Sequence, residues 1–169
     1  MTTLVWEGAV PQWDMDRVVR DHYDAVYRFC ARRIGIGRAA DTAQETFLTA
    51  QRAIRRFRGD SSLRTWLLGI ALNECRRAVR RGGYEPLPLD VDLACPLAED
   101  ETGFVDRQAL GVALARLSEE HRDVVILHEL QGLTYEETAG VLGVPVGTVK
   151  SRLHHAFLNL RREMVGGAE

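Results

Sequence analysis

Residues 117–164 read LSEEHRDVVILHELQGLTYEETAGVLGVPVGTVKSRLHHAFLNLRREM, and the way this stretch folds decides the reading of the whole chain. Thr134 stands three residues before Glu137, the spacing of a capping box. There the hydroxyl accepts a backbone N–H and the carboxylate reaches back to the capping residue. A short helix is expected from about Tyr135 to Leu142. Gly143 permits a turn that a Cβ resists, Pro145 suits the first turn of a helix, and a long helical segment follows to Arg162. Two helices joined by a tight glycine turn make a helix-turn-helix.

The longer helix has two faces. Val146, Val149, Leu153, Ala156, Phe157 and Leu160 recur at helical spacing and are expected to face a core. Thr148, Ser151, Arg152 and His155 fall on the other side, with Lys150 at its edge. Residues 145–162 hold Lys150, Arg152, Arg161 and Arg162 and no acid. Such a face suits a DNA major groove, where basic side chains donate to phosphates and guanine edges and hydroxyls make shorter bonds. A solvated face on a helical bundle is the plainer alternative.

Upstream, the same periodicity predicts an all-helical chain. Val18, Val19, Tyr23, Val26, Tyr27, Cys30 and Ile34 mark one amphipathic helix over 15–34, closed by Gly35 and Gly37. A second helix is expected from Ala39 to Phe57, with Ala43, Phe47, Ala50 and Ile54 inward. A third is expected from Leu63 to about Arg81, burying Trp66, Leu67, Ile70, Ala71 and Val79. The polar loop Arg58-Gly59-Asp60-Ser61-Ser62 joins the last two, and Ser61 or Ser62 can cap the third helix. Arginines beside an aromatic and a polar loop suit a strand with exposed bases, held by charge on its backbone and by stacking. Trp66, flanked by Leu67 and Leu68, reads first as core.

The net charge of -2 hides an uneven distribution. Residues 15–81 carry 15 arginines against 7 acids, residues 82–106 carry 7 acids and no base, and residues 107–169 carry 7 basic and 8 acidic side chains. This pattern suits a basic domain at 15–82, an acidic linker at 83–104 containing Pro86, Pro88 and Pro96, and a mixed domain at 105–164, with tails at 1–14 and 165–169. The linker acids are expected to fold back over the arginines. In the last domain Ala109, Val112, Ala113 and Leu117 are expected to face inward on one helix. Ser118 should cap the next, which buries Val124, Val125, Leu127 and Leu130. Trp6 and Trp13 can dock if a pocket is offered.

Some chemistries find no support. Cys30 and Cys75 read as core thiols, no cluster has metal-ligand spacing, and no apolar run reaches the length of a membrane span. A cytoplasmic protein needing no cofactor is expected. No phosphate-binding Gly-Lys motif or activated nucleophile suggests an enzyme.

Two blocks together carry a resemblance. GLTYEETAGVLGVPVGTVKSRLHHAFLNLR resembles the fourth conserved region of extracytoplasmic-function (group 4) sigma factors of the bacterial sigma-70 family. DTAQETFLTAQRAIRRFRGDSSLRTWLLGIALNECRRAVRR, residues 41–81, resembles their second region. The resemblance implies a monomeric initiation factor whose N-terminal domain docks on the beta-prime clamp of core RNA polymerase through Asp41, Gln44 and Glu45. It further implies that Arg58, Gly59, Asp60, Ser61, Ser62, Arg64 and Trp66 capture an unstacked base of the -10 element, with Asn73, Arg76, Arg77 and Arg80 near the duplex edge. Thr134, Pro145, Gly147, Thr148, Lys150, Ser151, Arg152 and His155 would read the -35 element while the other side of that domain meets the beta flap. An anti-sigma protein is an expected further partner. Leu63 and Thr138 depart from the family pattern, which favours an aromatic and a large apolar residue there. A dimeric helix-turn-helix regulator is the alternative reading; it leaves the basic N-terminal domain unused.

Overall fold

A computed structural model describes residues 13–82 and 107–166. The described residues are helical throughout, in two regions. In the first, α1 (Met15–Ile34), α2 (Ile36–Ala53, extended by a 3-10 turn over Ile54–Arg56) and α3 (Leu63–Gly82) pack on one another. The second contains α4 (Arg107–Arg116), α5 (Glu119–Val124, continuing as a π-helical segment over Val125–Leu130), α6 (Tyr135–Leu142) and α7 (Val146–Gly166). Here α4, α5 and α6 all pack on α7. The expected linker and its acids lie outside the described residues, as does Trp6.

Local chemistry sets the boundaries. Asp14 caps α1 by accepting from the N–H groups of Asp16 and Arg17, and Gly35, at φ 88°, lets the chain turn directly into α2. Gly37 therefore lies inside α2 rather than closing α1, and α2 begins three residues earlier than periodicity suggests. Of the two candidate serines, Ser62 caps α3: its Oγ accepts the Thr65 N–H at 3.0 Å. Ser118 caps α5 through the His121 N–H. The capping box of α6 is complete, with Thr134 Oγ1 accepting from Glu137 N at 3.1 Å and Glu137 Oε2 accepting from Thr134 N at 2.9 Å.

Gly143 holds φ 67° and ψ 35° between α6 and α7. An L side chain there costs about 1–2 kcal/mol. Gly143→Ala should lower stability by about that amount in a urea titration followed by helical dichroism.

One buried apolar cluster runs through both regions, built on Val26, Phe29, Cys30, Ala43, Phe47, Leu67, Leu68, Leu72 and Cys75 in the first and on Leu114, Val124, Val125, Ile126, Leu127, Val149, Leu153 and Ala156 in the second. Both cysteines are fully buried; the hydrogen bond with Cys30 and then burial hold the Cys75 thiol well above its ordinary pKa. Three residues expected inside are exposed. Tyr23 (41%) lies at the edge of the α1 stripe and stacks along Phe47. Phe157 (40%) sits one position around from Ala156, outside the line drawn by Val149, Leu153, Ala156 and Leu160. Ala109 is exposed because Leu110, Ala113 and Leu114 take the inner face of α4, with Leu117 buried just past its end. Trp66 is half-buried and tilted against Phe57, on which Trp13 also packs edge-on. Leu130, Ile70, Val79, Val112 and Val146 are likewise only half-buried.

Thr138 is fully buried and its hydroxyl has no hydrogen-bond partner. A large apolar residue would remove that unsatisfied oxygen, so the departure at this position carries a cost.

Candidate nucleic-acid interface

The outer face of α7 carries the C-terminal candidates. Pro145 precedes the helix, with its carbonyl accepting from Thr148 N at 2.9 Å and Val149 N at 3.2 Å, so the helix start is ordered. Gly147, Lys150, Ser151 and His155 are exposed, while Val149, Leu153, Ala156 and Leu160 anchor the opposite side. Ser151 Oγ donates to Thr148 O. The Lys150 ammonium lies 5.2 Å from the Tyr135 ring, which itself stacks on His128 at 4.3 Å. Thr134 is committed to the cap. Arg152 is less free than its spacing implies: it pairs with Glu120 of α5 at 3.0 Å, and its side chain is 21% exposed.

The N-terminal candidates separate into two groups. Asp41, Gln44 and Glu45 are exposed on α2, and Asp41 and Gln44 line a groove with Val19, Tyr23, Phe47 and Leu48. Arg58, Asp60 and Ser62 are exposed on the loop, where Gly59 adopts φ 78°. Asp60, Ser61, Trp66 and Asn73 line a second cleft of about 660 Å³. Arg77 pairs with the buried Glu74 at 2.9 Å, and Arg80 is exposed.

Two other candidates turn toward the C-terminal region. Arg64 Nη2 donates to the Gln131 carbonyl at 2.7 Å, and Arg76 Nη2 meets Asp123 at 3.1 Å. The opposite wall of the 660 Å³ cleft is α6, through Glu136, Glu137, Gly140 and Val141. Thr65 Oγ1 donates to Glu137 Oε1 at 2.8 Å. The backbone bond from Thr134, then the Thr65 hydroxyl, hold the Glu137 carboxyl below its ordinary pKa, so it is charged at neutral pH.

Periodicity gave no sign of a buried charge cluster. Arg33 and Asp123, with side chains 2% and 1% exposed, meet at 2.6 Å; Arg33 also reaches Glu119 at 2.5 Å. Arg32, buried as well, donates to Leu130 O at 2.8 Å. Arg122 is spent on the end of α4, donating to the carbonyls of Leu114, Ala115 and Leu117. The available signal was the position of Arg33 and Asp123 on apolar stripes, beside Cys30 and Ile34 and next to Val124. Among the described residues no group of His, Cys, Asp and Glu could hold a metal ion, and no helix is long and apolar enough to cross a membrane.

Residues 18–84 match Sigma-70 region 2, and residues 107–160 match Sigma-70 region 4. The ECF RNA polymerase sigma-E factor of Escherichia coli is 36% identical over 141 residues, covering 75% of this chain and 73% of that protein. The chain belongs to the extracytoplasmic-function group of the sigma-70 family. Sigma factors of this group are non-catalytic initiation factors that direct RNA polymerase to promoters. ECF RNA polymerase sigma factor SigE of Mycolicibacterium smegmatis is 38% identical over 165 residues, which is 92% of this chain; the chain spans 62% of that relative's length. Among solved structures, the sigma factor RpoE in complex with the anti-sigma factor NepR from Bartonella quintana is similar at a TM-score of 0.70. Identity there is 27%, over 92% of this chain and 99% of that one. CnrH in complex with the cytosolic domain of CnrY is similar at 0.68, with 25% identity, over 92% and 89%.

Proposed function

We propose that this sigma factor binds core RNA polymerase and recognises promoters in two places, the -35 element with its C-terminal region and the -10 element with its N-terminal region. The observation that carries the first assignment is the polarity of α7, whose buried stripe leaves Lys150, Ser151 and His155 together on the solvent side. With α6 and the left-handed Gly143 turn this is a helix-turn-helix, and α7 is its recognition helix. In the N-terminal region, 15–82, the loop Arg58–Ser62 and Trp66 take an unstacked base, and Asn73, Arg76, Arg77 and Arg80 hold the neighbouring backbone. Asp41, Gln44 and Glu45 supply an exposed polar edge to the beta-prime clamp, and the apolar groove beside them extends that contact. The relatives solved with NepR and CnrY support an anti-sigma protein as a further partner. The acidic linker is expected to join the two domains of a monomer.

Core enzyme, incubated with and without the chain on a library of promoter duplexes, tests this reading. Transcripts that depend on the chain and share two spaced upstream elements are the expected result. A shifted palindromic duplex bound by a dimer without polymerase would favour a conventional regulator instead.

Arg152 offers a sharper check because it has two possible uses. If it reads DNA, Arg152→Ala should weaken promoter use by about 1–3 kcal/mol. Glu120→Gln, which breaks the same ion pair but leaves the guanidinium, should then preserve promoter use. Equal losses in the two variants would make Arg152 a structural residue, since a partly exposed ion pair contributes only about 0–1 kcal/mol.

A further inference from the structure

Four of the five histidines lie in the C-terminal region, and three of them gather at one place on its surface. His154 and His155 are exposed on α7 with ring centroids 5.7 Å apart, and the His121 ring of α5 lies 6.3 Å from that of His155. Residues four apart share a helix face. His154 therefore follows Lys150 by one turn and His155 follows Ser151, so the imidazoles continue the polar face of α7 and His121 widens it onto α5. His128 stands apart, stacked on Tyr135 with its Nδ1 2.7 Å from the Leu133 carbonyl oxygen.

The charges around this cluster are already matched. Glu120 pairs with Arg152 at 3.0 Å, Glu119 with Arg33 at 2.5 Å, and Arg116 of α4 with Glu163 at 2.6 Å. Arg122, the neighbour of His121, donates to the carbonyls at the end of α4, and Glu137 of α6 is held by Thr65 and Thr134. Lys150, Arg161 and Arg162 are exposed basic groups on α7. What can still change the charge of this surface is imidazole, the side chain that ordinarily gains or loses its proton between about pH 5 and 8. Imidazolium rings set side by side repel one another. A phosphate placed among them removes that repulsion and favours the charged form.

We infer that His121 belongs to the DNA-binding surface, and that the His121, His154 and His155 cluster links promoter binding to proton uptake, its charged rings donating to phosphodiester oxygens. The inference rests on the proposed role of α7 and adds a residue of α5 to it. The sign follows from the phosphate. A ring that is harder to deprotonate in the complex contributes fully below the titration range of the free ring. That contribution is lost as the pH rises through the higher range of the bound one. Promoter affinity should therefore increase as the pH falls. A phosphate that makes an imidazole about ten-fold harder to deprotonate strengthens binding about six-fold between pH 8 and pH 6.

The test uses core polymerase loaded with the full chain and a labelled promoter duplex recovered from the initiation library. Affinity is measured near pH 6, 7 and 8, with a chelator present and at several salt concentrations. The response of polymerase itself is common to all chains and cancels in the ratio of variant to wild type. His121→Gln keeps the backbone N–H that Ser118 Oγ accepts, so α5 stays capped. It should match the wild type near pH 8 and bind about six-fold more weakly near pH 6. His121→Arg, charged throughout, should hold the low-pH affinity up to pH 8. Each added phosphate contact should also steepen the salt dependence of the wild type by about one near pH 6, with a smaller change in His121→Gln.

A His121→Gln profile parallel to the wild type, whether equal to it or weaker at every pH, would overturn the inference, because a merely structural role lowers affinity without changing its pH dependence. Initiation is scored separately with the same chains. No promoter binding by any chain at any pH counts against the proposed function and takes this inference with it. Normal initiation with parallel profiles counts against the proton linkage alone.

Discussion

Asp123→Ala is expected to remove up to about 3–5 kcal/mol of stability, because it leaves the buried Arg33 guanidinium with the half-exposed Glu119 as its remaining carboxylate. The geometry makes this position more demanding than a surface pair. Asp123 accepts from Arg33 at 2.6 Å on one oxygen and from Arg76 at 3.1 Å on the other, with its side chain 1% exposed. Burial, with the neighbouring Glu119 charge, pushes its pKa up against the pull of Arg33 and Arg76.

The predicted loss has a ceiling. Once the penalty exceeds the free energy of separating the regions, the chain opens and Arg33 regains water without either region unfolding. Urea unfolding followed by dichroism should then show less than the full loss, and scattering should show the rest as expansion. A variant as stable and as compact as the wild type would mean that Arg33 finds a partner without opening, and the pair would lose its structural importance.

Phe29→Ala should cost about 3–5 kcal/mol of stability, and here opening offers no relief. Phe29 is fully buried in α1, within the core that Val26, Phe47, Leu67, Leu68 and Leu72 complete. Removing the ring forfeits its transfer from water and leaves a cavity that three packed helices cannot collapse into without moving. That is a large share of the roughly 5–15 kcal/mol that holds an ordinary domain folded, so the variant should unfold at a much lower urea concentration. A midpoint of urea unfolding within measurement error of the wild type would show that the three-helix core rearranges around the loss. Because Phe29 touches neither proposed DNA face, any fall in promoter use should follow the folded fraction and should be recovered at lower temperature.

Much of the architecture was legible in single stretches of sequence. Thr134 and Glu137 specify the start of α6 because the capping box is made from residues three apart, and Gly143 ends it because only glycine takes φ 67° without penalty. The stripes of α1, α3 and α7 are read from a period that needs no neighbour, and two sigma-like blocks in order indicated the family. The errors fell at the edges of those stripes. Tyr23 and Phe157 satisfy helical spacing, yet a partner helix covers only part of an apolar arc, and which part depends on where that helix lies.

The candidate interface divides the same way. That Lys150, Ser151 and His155 share a solvent face of α7 follows from the α7 sequence alone. That Arg64 and Arg76 are occupied by Gln131 and Asp123, more than forty residues away along the chain, does not. Arg33 sits on the apolar stripe beside Cys30 and Ile34, which hints at burial but names no partner. Its burial against Asp123 arises only when α1 and α5 meet, because a charge is stable inside a protein only beside a counter-charge and no local pattern specifies that pairing. The sequence by itself determined the helices, their caps and the family. Tertiary structure alone decided that Arg33, Arg64 and Arg76 meet Asp123 and Gln131, since charge complementarity between distant segments becomes an interaction only once folding has brought them within a few ångströms.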